Sequence, residues 1–309
     1  MALLLKTDIE RGDAWHVAFR AQAPDIEIRD WPHDGDPAEI EFALVWQPTR
    51  GELRAYPNLK AIFSIGAGID HLSSDPDLPE GVPIVRMVEP GLTAGMVEFV
   101  VMSVLYHHRF MLDYAAQARD KVWREIPQIP TQRRRVGIMG LGVLGRAAGE
   151  ALAGFGFDMA GWSRTAKDVP GIATFHGQDG LTPFLNRSDI VVSLLPLTAE
   201  TTGIINAQTL GALPRGAVLI SVGRGAHVVE ADLLAALDSG QLGGTTLDVF
   251  QTEPLPADSP FWDHPRVVVV PHIASMTIPD SAAEAVIANI RRIQAGQPPE
   301  HVVDLKRGY

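Results

Sequence analysis

Gly137-Ile138-Met139-Gly140-Leu141-Gly142-Val143-Leu144-Gly145 stands near the middle of a 309-residue chain. Gly140, Gly142 and Gly145 form G-x-G-x-x-G, directly after the strand-like 135–139 and directly before the helix-like 146–154. That context is what a dinucleotide-binding turn requires. The first glycine permits a tight turn, the second lets the backbone approach a pyrophosphate, and the third lets helix and strand pack closely. A helix beginning there presents its unpaired N–H groups and its positive dipole end, at Gly142, Val143 and Leu144, to phosphate oxygens. The plainer alternative is a glycine turn with no ligand, which does not need the flanking strand and helix.

Outward from this turn, short apolar runs alternate with helix-like segments. Strands are expected at 135–139, 158–162, 189–194, 217–222, 244–249 and 267–270, with helices at 144–155, 206–213 and 230–239. Near-continuous apolar strands separated by helices predict a parallel, doubly wound α/β sheet covered on both faces. The first hundred residues repeat the theme more weakly, with strands at 3–5, 43–46 and 61–64. A long helix at 93–118 is expected to bridge the halves, and 279–295 has a helical apolar period. Because the fingerprint is central, the simplest architecture inserts a nucleotide domain, 99–276, into a second domain built from 1–98 and 277–309.

Composition narrows the function classes. Lys plus Arg is 26 against 37 for Asp plus Glu, a net charge of −11, which does not suit a nucleic acid or an anionic membrane as partner. An anionic substrate must then be drawn in by local positive charge. No cysteine is present, which excludes disulfides, thiolate nucleophiles and cysteine metal sites; no metal is expected. The apolar run Met1–Leu5 is too short for a secretory signal, and Asp8 and Glu10 follow at once. A cytoplasmic protein is expected.

The second strand of the fingerprint unit discriminates between cofactors. An NAD site usually ends that strand in an acid, which binds the ribose 2′-hydroxyl. Here it ends in Ser163-Arg164-Thr165, with no carboxylate at the tip. A guanidinium flanked by two hydroxyls can hold a 2′-phosphate by charge-assisted hydrogen bonds, so NADP(H) is expected; a solvated surface arginine is the alternative.

Three further groups follow late strands, at the sheet edge where ligands of open α/β sheets bind. They are Arg224 in Ser221-Val222-Gly223-Arg224-Gly225, Glu253 in Asp248-Val249-Phe250-Gln251-Thr252-Glu253-Pro254, and His272 in Pro271-His272-Ile273-Ala274-Ser275. Reducing a 2-oxo acid needs a proton donor for the developing alkoxide, and histidine titrates near neutrality. A carboxylate beside the ring keeps it protonated and oriented, and a guanidinium polarises the keto oxygen and grips the substrate carboxylate. Taken singly, Arg224 also reads as a helix-entry surface residue, Glu253 as a solvated turn and His272 as a structural strand-end histidine.

These stretches, with Leu195-Pro196-Leu197-Thr198 and Leu247-Asp248-Val249-Phe250, resemble in order the D-isomer-specific 2-hydroxyacid dehydrogenases. Within that family the chain is most similar to the NADPH-dependent glyoxylate/hydroxypyruvate reductases of type A, by Trp162-Ser163-Arg164, Ala226-His227-Val228-Val229-Glu230 and the terminal Arg307-Gly308-Tyr309. The resemblance implies a Rossmann nucleotide domain inserted into a flavodoxin-like substrate domain. It also implies a homodimer through an arm near 99–123, and reduction of glyoxylate to glycolate and hydroxypyruvate to D-glycerate. Arg224, Glu253 and His272 match the family's arginine, acid and acid–base histidine. Ser64-Ile65-Gly66-Ala67-Gly68-Ile69-Asp70 matches the loop whose amides, at Ala67 and Gly68, hold the substrate carboxylate; an ordinary glycine turn is its alternative reading. Asp248 falls where the family contacts the nicotinamide carboxamide, and Pro196, Thr201 and Val222 fall where it lines the cofactor. Trp46, Met87 and Met276 are candidates for the substrate pocket, although a Trp after an apolar strand is commonly core. Val229 departs from the acid that many members carry.

Two other functions fit the same residues. One is a sibling dehydrogenase for a bulkier 2-oxo acid. The other is a redox-sensing NADP(H)-binding protein, since C-terminal binding protein corepressors resemble this family and keep the same three groups. The compact chain, with no disordered tail or basic patch, favours the enzyme.

Overall fold

The computed structural model describes residues 1–7 and 9–305; the terminal Arg307-Gly308-Tyr309 lies outside the described residues. The chain forms two compact units, Met1–Leu92 with Met276–Tyr309, and Thr93–Ser275. The divisions fall six residues and one residue before the boundaries expected at 98/99 and 276/277.

In the first unit β1 (Ala2–Lys6), α1 (Ile9–Gln22), β2 (Glu27–Asp30), β3 (Ile40–Val45), β4 (Ala61–Ser64), α2 (Asp70–Ser73) and β5 (Ile84–Val85) follow in sequence. The strands pair in parallel in the order β2-β1-β3-β4-β5, the flavodoxin-like arrangement. Both faces are buried. Leu3 and Leu5 point to one core with Trp15 and Phe19, while Ala2 and Leu4 point to the other with Leu53 and Leu72. The strand period of two therefore feeds two apolar layers instead of one layer and solvent.

The next helix, α3 (Pro90–His108), is followed by α4 (Met111–Arg119). The single helix expected over 93–118 is thus broken: Phe110 takes a left-handed conformation, φ +59°, between the two. The break follows from packing rather than from a breaker residue. His107 Nε2 lies 2.8 Å from the Thr246 hydroxyl, and the buried His108 ring meets the edge of Phe157 at 5.0 Å, which pins the end of α3 to the sheet. Burial pushes His107 down to about 4, partly countered by Asp113, so the ring sits neutral in the core.

The second unit continues with β6 (Arg135–Met139), α5 (Val143–Gly154), β7 (Asp158–Ser163), β8 (Ala173–His176), α6 (Gly177–Asn186), β9 (Ile190–Ser193), α7 (Ala207–Gly211), β10 (Ala217–Ser221), α8 (Glu230–Asp238), β11 (Leu242–Leu247) and β12 (Val267–Val269). All seven strands are parallel, in the order β12-β11-β10-β9-β6-β7-β8. The order reverses at β6: the chain leaves it for β7 and β8 on one side and returns through β9 on the other. The glycine turn thus opens at the topological switch point, the ligand crevice of an open sheet. Finally α9 (Pro279–Gln294) returns to the first unit, burying Ala282, Ala283, Val286 and Ile290 in the layer that holds Trp15 and Phe19. Among the described residues no helix is long and apolar enough to cross a membrane.

Candidate active site

Two glycines of the turn after β6 have a steric reason within the fold, and the third leaves the backbone open. Gly140 has φ +105°, and a Cβ there would lie 2.6 Å from Leu194 O. At Gly145 a Cβ would lie 1.8 Å from Gly140 O, so only glycine lets α5 sit this close to the turn. A Cβ on Gly142 would meet nothing within 4 Å. The backbone at the start of α5 is therefore open to a bulky ligand, and Val143 is exposed beside it. The set fits a dinucleotide pyrophosphate on the N–H groups of Gly142, Val143 and Leu144.

Past β7, the Ser163 hydroxyl donates to Thr165 O at 2.7 Å, closing a short turn with Arg164 and Thr165 exposed. The surroundings of Arg164 contain a residue that sequence reasoning missed. Glu200 is held below its ordinary value chiefly by the Thr198 hydroxyl, and the charge of Arg164 contributes. A carboxylate from the loop after β9 therefore shares the electrostatic neighbourhood of the arginine.

Three loops from the carboxyl ends of β10 and β11 and from beyond β12 carry the remaining groups. His272 Nδ1 lies 2.7 Å from Glu253 Oε2. The other oxygen of Glu253 accepts from Phe250 N at 2.9 Å, which fixes the carboxylate in line with the ring. His272 itself has φ +54°, and its N–H donates to Asp248 O at 2.9 Å. A left-handed histidine is uncommon and is held here by its surroundings. Asp248 supplies them: its Oδ1 accepts from Ile273 N at 2.7 Å and Ala274 N at 3.0 Å, capping the turn that carries the imidazole.

The two acids differ in state. Asp248 is 1% exposed, and burial pushes it up to about 6 against the opposing Ile273 and Ala274 amides. Burial also raises Glu253, but the His272 bond, the Phe250 amide and the charges of His272 and Arg224 outweigh it and hold the group below its ordinary value.

Arg224 follows β10. Its Nη1 donates to Gly223 O at 2.7 Å, and its charge reaches Glu253. The loop packs onto the Glu253 loop so closely that a Cβ on Gly225 would fall 1.9 Å from Phe250 C and O. Gln251 staples the same junction, donating Nε2 to Val228 O at 2.7 Å and N to Glu230 Oε1 at 3.1 Å. The arginine, acid and histidine expected from sequence are thus brought onto adjoining loops within one unit. Val222 is buried, and Thr201 Oγ donates to Pro196 O at 2.7 Å in the loop after β9.

In the first unit, the loop after β4 is shaped by Ser64 Oγ donating to Gly68 O at 3.0 Å, Met87 N to Gly66 O at 3.3 Å and Thr277 Oγ to Ile65 O at 2.6 Å. Among the described residues neither the Ala67 nor the Gly68 amide donates a hydrogen bond, so this turn presents two adjacent N–H groups. Trp46 is half-buried, with its ring 4.6 Å from that of His71; a Cβ on Gly66 would lie 2.9 Å from the indole. Met87 is buried and Met276 exposed. Among the described residues no cluster of three or more His, Asp or Glu is arranged to hold a metal ion.

Comparison with known proteins identifies the family. The family described as "D-isomer specific 2-hydroxyacid dehydrogenase, NAD binding domain" matches residues 101–274. The chain belongs to the D-isomer-specific 2-hydroxyacid dehydrogenases and is an oxidoreductase. It is 41% identical over 300 residues to a glyoxylate/hydroxypyruvate reductase A of Yersinia enterocolitica, with 96% of each chain covered. A crystal structure of a D-isomer-specific 2-hydroxyacid dehydrogenase from Xanthobacter autotrophicus, in complex with NADPH and MES, is 44% identical with TM-score 0.96, covering 100% of this chain and 99% of that one. An NADPH-dependent glyoxylate/hydroxypyruvate reductase from Sinorhizobium meliloti, in complex with NADP and sulfate, is 40% identical with TM-score 0.94 and covers the same shares.

Proposed function

We propose that the chain reduces small 2-oxo acids with NADPH, taking glyoxylate to glycolate and hydroxypyruvate to D-glycerate. The observation that carries this reading is the 2.7 Å His272–Glu253 pair, with Glu253 on a loop packed backbone to backbone against that of Arg224. The glyoxylate/hydroxypyruvate reductase A relatives and the NADPH-bound and NADP-bound structures support it. When bound, the nicotinamide cofactor supplies a hydride to the keto carbon.

This chain's own residues do the rest. Glu253 occupies Nδ1 of His272, so Nε2 is the nitrogen that gives its proton to the keto oxygen. The carboxylate stabilises the imidazolium before that transfer. Arg224 draws negative charge onto the keto oxygen and holds the substrate carboxylate. The Ala67 and Gly68 amides are a second carboxylate-binding element, and Trp46 flanks their loop. Asp248 fixes the His272 turn and offers a carboxyl for the nicotinamide amide. Gly140, Gly142, Val143, Leu144 and Gly145 receive the pyrophosphate; Ser163, Arg164 and Thr165 receive the 2′-phosphate. Pro196, Thr201 and Val222 line the cofactor.

The protein acts as a homodimer through the segment around α3 and α4. Met102, Met111 and Val122 are about half exposed there, and Trp123 is 99% exposed, more apolar surface than a single chain hides. Light scattering should give a mass twice that of the chain.

Steady-state NADPH oxidation with glyoxylate, hydroxypyruvate, pyruvate and phenylpyruvate, compared side by side, tests the activity. Preference for glyoxylate and hydroxypyruvate is expected; preference for phenylpyruvate would assign a bulkier substrate, and no turnover of any would remove the reading. Arg164→Ala should raise KM for NADPH about tenfold and leave that for NADH unchanged.

A further inference from the structure

His227 is fully buried, and the activity proposed above does not use it. It follows Arg224 by three residues in the same short turn, and its ring makes two hydrogen bonds. Nδ1 accepts from the Arg224 backbone N–H at 3.1 Å, and Nε2 lies 3.2 Å from Pro196 O. A nitrogen that accepts cannot carry a proton, and a carbonyl can only accept. The ring is therefore neutral with its proton on Nε2, which donates to Pro196 O.

The joint is built from both sides. A Cβ on Gly223 would fall 2.9 Å from Nδ1 of this ring, so glycine there makes room for the imidazole. The His227 backbone O accepts from Ile205 N at 2.9 Å, and Gly203 N donates to Ala226 O at 2.9 Å. The loops after β9 and β10 are thus knitted together, with one imidazole filling the seam. Its two bonds join the backbone that carries Arg224 to the carbonyl that Thr201 also holds.

We propose that neutral His227 is a positioning residue: it fixes the Arg224 backbone against Pro196 and so aims the guanidinium at the 2-oxo acid. The proposal rests on the reductase reading for the identity of that ligand. A ring that merely filled space would tolerate any isostere equally; a ring that orients Arg224 would not.

Two substitutions separate the bonds. Asn at this position keeps an oxygen near Nδ1 and loses the reach to Pro196; Gln keeps an amide near Nε2 and leaves Arg224 N–H without an acceptor. With its N–H left without that acceptor, the Arg224 backbone shifts and carries the guanidinium out of line, so His227→Gln should lower kcat/KM for glyoxylate by about 10- to 100-fold. The affinity of the NADPH-loaded enzyme for oxamate, an unreactive 2-oxo acid isostere, measured by calorimetry, should weaken by a similar factor. His227→Asn should lose far less in both, with NADPH affinity alike in the two variants. In an Arg224→Lys background the Gln penalty should shrink, because coupled residues are not additive.

Equal losses in the Asn and Gln variants, or an undiminished Gln penalty in the Arg224→Lys background, would overturn the positioning role. If the wild type turns over no 2-oxo acid, the reductase reading fails instead, and the oxamate affinities still decide between the two roles of the ring.

Discussion

Asp248 and Glu253 lie five residues apart on one loop, and their carboxyls have been driven in opposite directions. Asp248 is buried beneath the loop and accepts from the Ile273 and Ala274 amides, and burial prevails. Glu253 is half-exposed and faces an imidazole and a guanidinium, and the charges prevail. The contrast shows how one loop holds a carboxyl of raised pKa beside one that stays ionised. Neighbours, not residue type, assign the role. The first acid shapes the turn that carries the proton donor, and the second supports the donor's charged state.

The contrast can be broken at its centre. His272→Gln removes the partner that holds Glu253 down and the group that protonates the alkoxide, so kcat should fall on the order of 10²–10⁴-fold. Near-normal turnover would end the acid–base assignment.

Asp248→Asn tests the other side through stability. A carboxyl raised from 3.8 to about 6 contributes stability below pH 4 that is lost as pH rises through about 6. The Asn variant should match the wild type near pH 4 and exceed it at pH 7 by about 3 kcal/mol, seen as a higher thermal midpoint. An equal or lower midpoint at pH 7 would mean that the Ile273 and Ala274 amides outweigh burial.

Glu253 has the opposite sign. Its folded pKa is depressed, so its contribution is present at neutral pH and lost in acid. Glu253→Gln should lower kcat at pH 7 by about 10- to 100-fold and move the pH–rate profile toward lower pH. An unshifted profile would assign support of the ring to another group.

The smallest effect belongs to a third acid, the exposed Glu200 near Arg164. If it competes with the 2′-phosphate for that guanidinium, Glu200→Gln should lower KM for NADPH by about two- to threefold, with KM for NADH unchanged. A parallel change for both cofactors would show a general effect on the loop.

What the sequence reveals depends on how local the cause is. The glycine turn is legible because two short-range steric demands, at Gly140 and Gly145, fall close together between a strand and a helix. Strands β6, β9 and β10 are legible because both of their faces are buried, leaving continuous apolar runs. The expected 244–249 strand starts two residues early, at Leu242, because Gly243 and Gly244 read as a turn. Gly243 is in fact required inside β11, where a Cβ would lie 2.6 Å from Gly216 O. The break at Phe110 is invisible locally, since distant partners such as Thr246 and Phe157 enforce it. β8 and α6 are missed for a related reason: β8 is a largely exposed edge strand, and Pro183 interrupts the helical signal. The His227 seam and the approach of Glu200 to Arg164 join separate loops, and no spacing rule encodes them. His227 is marked in sequence only as part of a stretch typical of the subtype.

At Gly225 the carbonyl of Phe250 stands where any larger side chain would begin. Hydrogen bonds loosen with heat and ion pairs with salt, but a hard-core contact of this kind does neither. The spacing between guanidinium and acid is thus set by excluded volume, and it should outlast conditions that titrate every group mounted on the two loops.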